Sequence, residues 1–284
     1  MDDTGKATTE NMISPSRVTG AAGAIRPGQV FPAARIAVPF ERQRMMHACC
    51  GIPPERWGDR VDPGLLAHEP FRLMGRRVSA CSPGWGYVGM GHRIRMPAPV
   101  RLGEPLEMSG TVTGVEPVAR GTILRASFAF APPGGACRLL IEPEALMLDP
   151  TRTARPEGGR APADDAAGFE PVAMKVMTPE AVRGYCVDNE NRAHTDPDHA
   201  RRLGFRAPIA AGNQLVNFHL DALALLLGRP PEALDVEIRF RRPVFWDETL
   251  TVEARRDEDG LPSALRLCNG AGKVASTCAV RALR

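Results

Sequence analysis

The clearest pattern lies in the second half of the chain. From Asn213 to Leu227 (NQLVNFHLDALALLL) apolar residues recur at helical spacing, and Gly228 follows as a stop signal. The last two turns are apolar almost all round, which predicts a buried central helix. Beyond it the period drops to two. LDVEIRFRRPV, ETLTVEARR, SALRLCNG and KVASTCAVRAL read as strands, with DEDG and NGAG as turns between them. The first half follows a similar order, a mixed region with one helix and then strands. GYVGMGHRIRMPAPV, LEMSGTVTGVEPV, GTILRASFAFA and CRLLIEPEALML form that run, with PPGG as a turn.

The two halves are related. IRMPAPVRLGEPLEM (94–108) aligns without a gap on IRFRRPVFWDETLTV (238–252), pairing Ile94 with Ile238, Arg95 with Arg239, Pro99 with Pro243, Val100 with Val244, Glu104 with Glu248 and Leu106 with Leu250. A constant offset of 144 residues (94 to 238) predicts a duplicated domain. Pro99 and Pro243 mark the same bend or sheet edge. Residues 150–170, rich in Pro, Gly, Ala and charge without apolar period, read as a linker, and residues 1–30, small and polar, as a disordered tail. The expected fold is therefore α+β, a tandem (double) hotdog with domains at 31–149 and 171–284. Each half is a central helix wrapped by an antiparallel sheet. The halves would join as a pseudo-dimer within the chain, with a further homodimer left open.

Composition narrows the class. The 284 residues are 43% hydrophobic and 24% charged, with a net charge of +3 and no block of like charge, so neither a nucleic-acid groove nor a polybasic membrane anchor is expected. The longest apolar run is too short to span a bilayer, and the first thirty residues lack the order of a signal peptide. Seven irregularly spaced cysteines without a CxxC suit a reduced, cytoplasmic protein.

The candidate chemistry sits in YCVDNENRAHTDPDHARRLGF (185–205). A metal reading of His194, Asp196, Asp198 and His199 lacks further converging ligands, and Asp196 before Pro197 is better read as the N-cap of a short helix closed by Gly204. GWGYVG (84–89) fits GxGxxG but precedes a strand rather than a helix, so its glycines serve turns or close packing. Cys186 has no third group to make it a nucleophile and reads as a small hydrophobe. His199 and His219 read as a helix-surface and a packing residue.

Asn191, His194, Asp196, Ala200, Gly204, Phe205, Pro208, Ile209 and Gly212 resemble, in register, the segment Gly-Asp-x-Asn-Pro-x-His-x-Asp…Gly-Phe…Pro-Ile-x-x-Gly of the MaoC-like (R)-specific enoyl-thioester hydratases and dehydratases, and IRFRRPVFWDETL resembles their later strand. Asn189 and Arg192 stand where that family has its aspartate and proline. This departure looks closer to the double-hotdog branch of 3-hydroxyacyl-thioester dehydratases and mesaconyl-C4-CoA hydratase-like enzymes. The resemblance implies an acyl-CoA or acyl-carrier thioester as substrate and no cofactor. His194 would be the base, Asn189 would position the water, and Gly212 would hold the enolate oxygen at the start of the central helix. Asn191, Tyr185, Pro208, Ile209, Ala211 and Asn213 would line the substrate. Arg192 either faces a distal carboxylate or is a solvated loop arginine or a partner for Asp188 or Glu190. The first half has no matching Asn/Asp and His pair, so it is expected to shape the acyl pocket. A non-catalytic acyl-thioester-binding protein and a thioesterase are the alternatives.

Overall fold

The computed structural model describes residues 25–151, 167–189 and 191–284. Most of the expected tail and linker lies outside these residues. The end of the tail does not: Gly28 N donates to Val112 O at 2.9 Å and Phe31 N to Gly110 O at 2.8 Å, tying residues 28–31 along a strand.

In chain order the elements are β1 (Ala34–Ile36), α1 (Phe40–Cys49), a 3-10 turn (Pro54–Arg56), α2 (Pro63–Leu66), α3 (His68–Cys81), β2 (Gly86–Met96), β3 (Leu106–Val118), β4 (Gly121–Ala131) and β5 (Leu139–Leu148). The second half gives β6 (Glu170–Val176), α4 (Pro179–Tyr185), a 3-10 turn (Arg192–His194), α5 (Pro197–Arg202), α6 (Gly212–Leu227), β7 (Leu234–Phe240), β8 (Thr249–Arg256), β9 (Pro262–Asn269) and β10 (Val274–Leu283). All ten strands form one antiparallel sheet in the order β1-β3-β4-β5-β2-β7-β10-β9-β8-β6. The order reads as one five-strand set followed by its mirror, so the duplication seen in sequence is the symmetry of the sheet.

The junction confirms the repeat register. β2 and β7 pair from Gly91↔Arg239 to Met96↔Leu234, and Arg93 lies opposite Glu237, its own counterpart at the offset of 144. β2 ends at Met96 and β7 at Phe240, which are again counterparts, and Pro99 and Pro243 lie just beyond. The matched apolar residues Ile94, Ile238, Val100, Val244, Leu106 and Leu250 are all buried. On the outer face, Arg93 forms a two-pronged bond with Asp235 (3.0 and 2.8 Å), and Arg239 bridges Glu144 (2.6 Å) and Glu237 (2.8 Å). Such partly exposed pairs contribute about 0–1 kcal/mol each.

The core side is covered by two helices of unequal depth. α3 packs against β2 and β5 through one stripe, Pro70, Met74 and Val78. α6 packs against β6, β8 and β9 and is buried without a break from Asn213 to Ala224. Its depth is not where apolarity alone puts it. The apolar end turns outward, with Leu225 38% exposed, while Asn213, Gln214, Asn217, His219 and Asp221 near the start are buried. The reason is the covering layer: α1, α2 and the 3-10 turn at Pro54–Arg56 lie over the polar half of α6.

One glycine is required at the junction. A Cβ at Gly91 would stand 2.1 Å from the Ile238 carbonyl oxygen, which the β2–β7 hydrogen bonds cannot accommodate, whereas a Cβ at Gly114 would meet nothing nearer than 3.6 Å. Gly91→Ala should therefore cost about 3 kcal/mol or more, and Gly114→Ala under about 1 kcal/mol, by chemical denaturation. Equal losses would remove the junction argument.

Candidate active site

His194 is held by a two-way clip. Ile209 N donates to Ala193 O at 3.1 Å, and His194 Nδ1 lies 2.8 Å from Ile209 O. A carbonyl oxygen only accepts, so Nδ1 carries the proton and Nε2 keeps its lone pair. Burial holds the imidazole below its ordinary range, with the bond to Ile209 opposing, and the neutral base is the form present near pH 7. The segment that clips it is itself anchored, since Ala210 N donates to Val244 O at 2.8 Å and Trp246 N to Pro208 O at 3.1 Å.

The loop before His194 is built from side-chain turns. Asn189 Oδ1 accepts from Asn191 N at 2.9 Å, and the exposed Asn191 caps the next turn by accepting from Ala193 N at 3.0 Å. After it, Asp196 Oδ1 accepts from Asp198 N (2.9 Å) and His199 N (3.0 Å), with Pro197 opening α5 and Gly204 in the left-handed region beyond it. Asp196 is thus the expected N-cap. Arg192 is exposed and ion-paired with Asp196, the solvated alternative; the idea of a substrate carboxylate gains nothing from its placement. Among the described residues no group of three or more His, Cys, Asp or Glu is arranged to hold a metal ion.

α6 starts directly after the clip. Ala211 is its N-cap residue without a side-chain cap, so the first amides, from Gly212 on, have no side chain satisfying them and the helix end is electropositive. A Cβ at Gly212 would stand 2.7 Å from the Phe240 ring, so glycine here admits an aromatic neighbour. Asn213 is buried at the start of α6, and the Phe240 ring that packs on Gly212 lies edge-on to the His92 ring of β2. Cys186 lies against the Ala211 amide, yet burial pushes its thiol up to about 12, which leaves it inert as a nucleophile.

Tyr185, expected along the substrate, is engaged within the protein through its hydroxyl. Its buried hydroxyl donates to Asn217 Oδ1 at 2.6 Å, Asn217 Nδ2 donates to Asp62 Oδ2 at 2.8 Å, and His47 Nε2 donates to the same oxygen at 3.1 Å. Its polar group anchors the loop to α6 and the first half rather than reaching a ligand. One turn further along α6, Asp221 pairs with Lys175 (2.8 Å) and Arg56 (3.1 Å). His219 packs inside, its Nε2 2.9 Å from Ser276 Oγ, and burial lowers it to about 3.

No protein-family model and no curated protein matches the sequence. Solved structures do match. HtdX of Mycobacterium tuberculosis aligns with a TM-score of 0.69 at 20% identity, over 88% of this chain and 99% of that one. A protein described as a MaoC-like dehydratase aligns at 0.73 and 14% identity, over 90% and 98%. An acyl-ACP thioesterase from Bacteroides thetaiotaomicron aligns at 0.56 and 12%, over 88% and 96%. The chain is a double hotdog.

In this double hotdog the second half supplies His194 and the start of α6, and the first half brings the His92 ring to 5.8 Å from Phe240, which packs on Gly212. His92 has no counterpart among the residues the motif singles out. The available signal was its place in the alternation His92, Ile94, Met96, which the arginines at 93 and 95 separate and which buries all three.

The buried histidines set a pH dependence. His92 is lowered to about 4 and His219 to about 3 by burial, against an unfolded value near 6.5. The unfolded chain takes up these protons first as pH falls, so stability is greatest above pH 6.5 and declines below it. Each histidine removes about 1.4 kcal/mol per pH unit between roughly pH 6 and 4. Urea midpoints should drop from pH 7 to pH 5; a flat profile would contradict the buried neutral assignments.

Proposed function

We propose that this protein belongs to the MaoC-like hydratases and dehydratases and reversibly adds water to an enoyl thioester, carried on CoA or a carrier protein. The carrying observation is the clip at His194, which presents a neutral imidazole Nε2 beside the uncapped start of α6. In this reading the thioester oxygen lies against the first amides of α6 at Gly212 and Asn213. Water attacks the β-carbon while Nε2 takes its proton, and the C=C electron pair moves onto the thioester oxygen as an enolate. The imidazolium then returns the proton to the α-carbon, so one water is added and His194 is restored. The second lone pair of Asn189 Oδ1, beyond the one used by Asn191, accepts from the attacking water and positions it. Pro208, Ile209 and Ala211 hold the oxyanion segment in place through backbone bonds.

Thioester hydrolysis is the second reading, supported by the likeness to a thioesterase. It requires a carboxylate at the reacting carbon. Asp221, the carboxylate of α6, is engaged by Lys175 and Arg56 two turns from the helix start. A non-catalytic acyl-thioester binder is the reading left if neither reaction occurs.

Incubation with enoyl- and 3-hydroxyacyl-CoAs, following enoyl absorbance and free thiol together, separates the three. Reversible absorbance change without thiol is expected, and thiol release instead would overturn hydration. His194→Ala should lower kcat by 100-fold or more, on the order expected for a lost general base. His47→Gln, which keeps a donor to Asp62, should retain turnover. The opposite pattern would exclude His194 as the base.

A further inference from the structure

β2 contributes a feature that the hydration chemistry does not use. The strand bulges at Met90, with Gly89 opposite Ala145 and Gly91 opposite Glu144. One extra residue reverses the alternation, so Tyr87, Gly89 and His92 all turn to the core side. Phe71 of α3 packs on all three: its ring centroid is 4.5 Å from Tyr87 and 6.2 Å from His92, and a Cβ at Gly89 would meet it at 3.0 Å. Phe240 closes the far side, 5.8 Å from the His92 ring and against Gly212. Glycines at 75, 89 and 212 let three backbone segments approach the rings of Tyr87, Phe71 and Phe240. The result is an aromatic box that adjoins the start of α6.

Two of the residues that pack on Phe71 carry a buried polar atom without a partner among the described residues, the hydroxyl oxygen of Tyr87 and Nδ1 of His92, the latter residue only 2% exposed. A buried polar atom without a partner carries a desolvation penalty that a bound group would relieve. Both are neutral groups. Burial lowers His92 to about 4 and raises the Tyr87 phenol well above its ordinary range. The cations of β2 are engaged on the opposite face, Arg93 with Asp235 and Arg95 with Glu142. With the arginines of β2 so engaged, a hydroxyl or keto oxygen, which needs no counter-charge, matches a donor–acceptor pair.

We propose that Tyr87 and His92 form a recognition pair for an uncharged oxygen, a hydroxyl or keto group, on the acyl chain of the thioester bound at the α6 N-terminus. The inference deepens the hydratase reading and rests on it for the thioester.

Unreactive saturated acyl-CoAs test it by binding alone. Matched pairs carry, or lack, a hydroxyl or keto oxygen at successive positions beyond the β-carbon, with an ω-carboxyl chain as a further probe. Wild-type protein should bind at least one oxygenated chain about tenfold tighter than its plain counterpart. In Tyr87→Phe that ratio should collapse toward one; should this variant fail to fold, His92→Gln carries the same comparison. A ratio near one at every position in wild type, a ratio unchanged in the variant, or tightest binding of the ω-carboxyl chain overturns the pair. Absence of selectivity in the wild-type protein, with enoyl-CoAs still hydrated, overturns the pair alone. Absence of binding by every acyl-CoA and by the same acyl chains on a carrier protein overturns both readings.

Discussion

The structure depends on the polar row of α6. Asn213, Asn217 and Asp221, one turn apart, leave water on folding and must each meet a partner there. Two of them find it in the first half, Asp62 for Asn217 and Arg56 for Asp221. Gln214 adds a bond to Cys49 O at 3.0 Å. Apolar contacts tolerate sliding, while these bonds are directional. The row therefore locks the segment α1–α2 onto a particular face of the helix. Asp62 concentrates the constraint, since its fully buried carboxylate accepts from Gly64 N, His47 and Asn217 together.

From that lock the asymmetry of the halves follows. Two similar sheets meet at β2–β7, yet only the second half places a histidine on a backbone clip beside a helix start. The first half supplies cover and an aromatic wall. Its helix α3 is a one-sided amphipathic helix, whereas α6 is enclosed from Asn213 to Ala224. Burial then governs the electrostatics, pushing His92, His194 and His219 toward their neutral forms and the Cys186 thiol away from its reactive one.

Much of this architecture was legible in the residues themselves. Period-two alternation marked all eight long strands of the two runs, because a strand with one buried face writes that face into its sequence. The offset of 144 survived because the paired residues Ile94 and Ile238, Val100 and Val244, Leu106 and Leu250 each fill the same core position twice. Asp196-Pro197 and Gly204 bounded α5 through local chemistry alone. The strands at the two edges were not legible: β1 has three residues, and β6 begins at Glu170, the end of a segment that reads as linker.

What the sequence by itself determined is thus the repeated sheet, the central helix with its stop at Gly228, and the motif around His194. Tertiary structure alone decided which groups those elements bring together. It engaged Tyr185 with Asn217 and Arg192 with Asp196, buried the polar half of α6 as deeply as its apolar residues up to Ala224, and through the bulge at Met90 put Tyr87 and Gly89 on the same side as His92. The physical reason is range. Alternation and capping act between near neighbours, whereas the pairing of a buried polar atom depends on partners more than a hundred residues away, as Asp62 and Asn217 are.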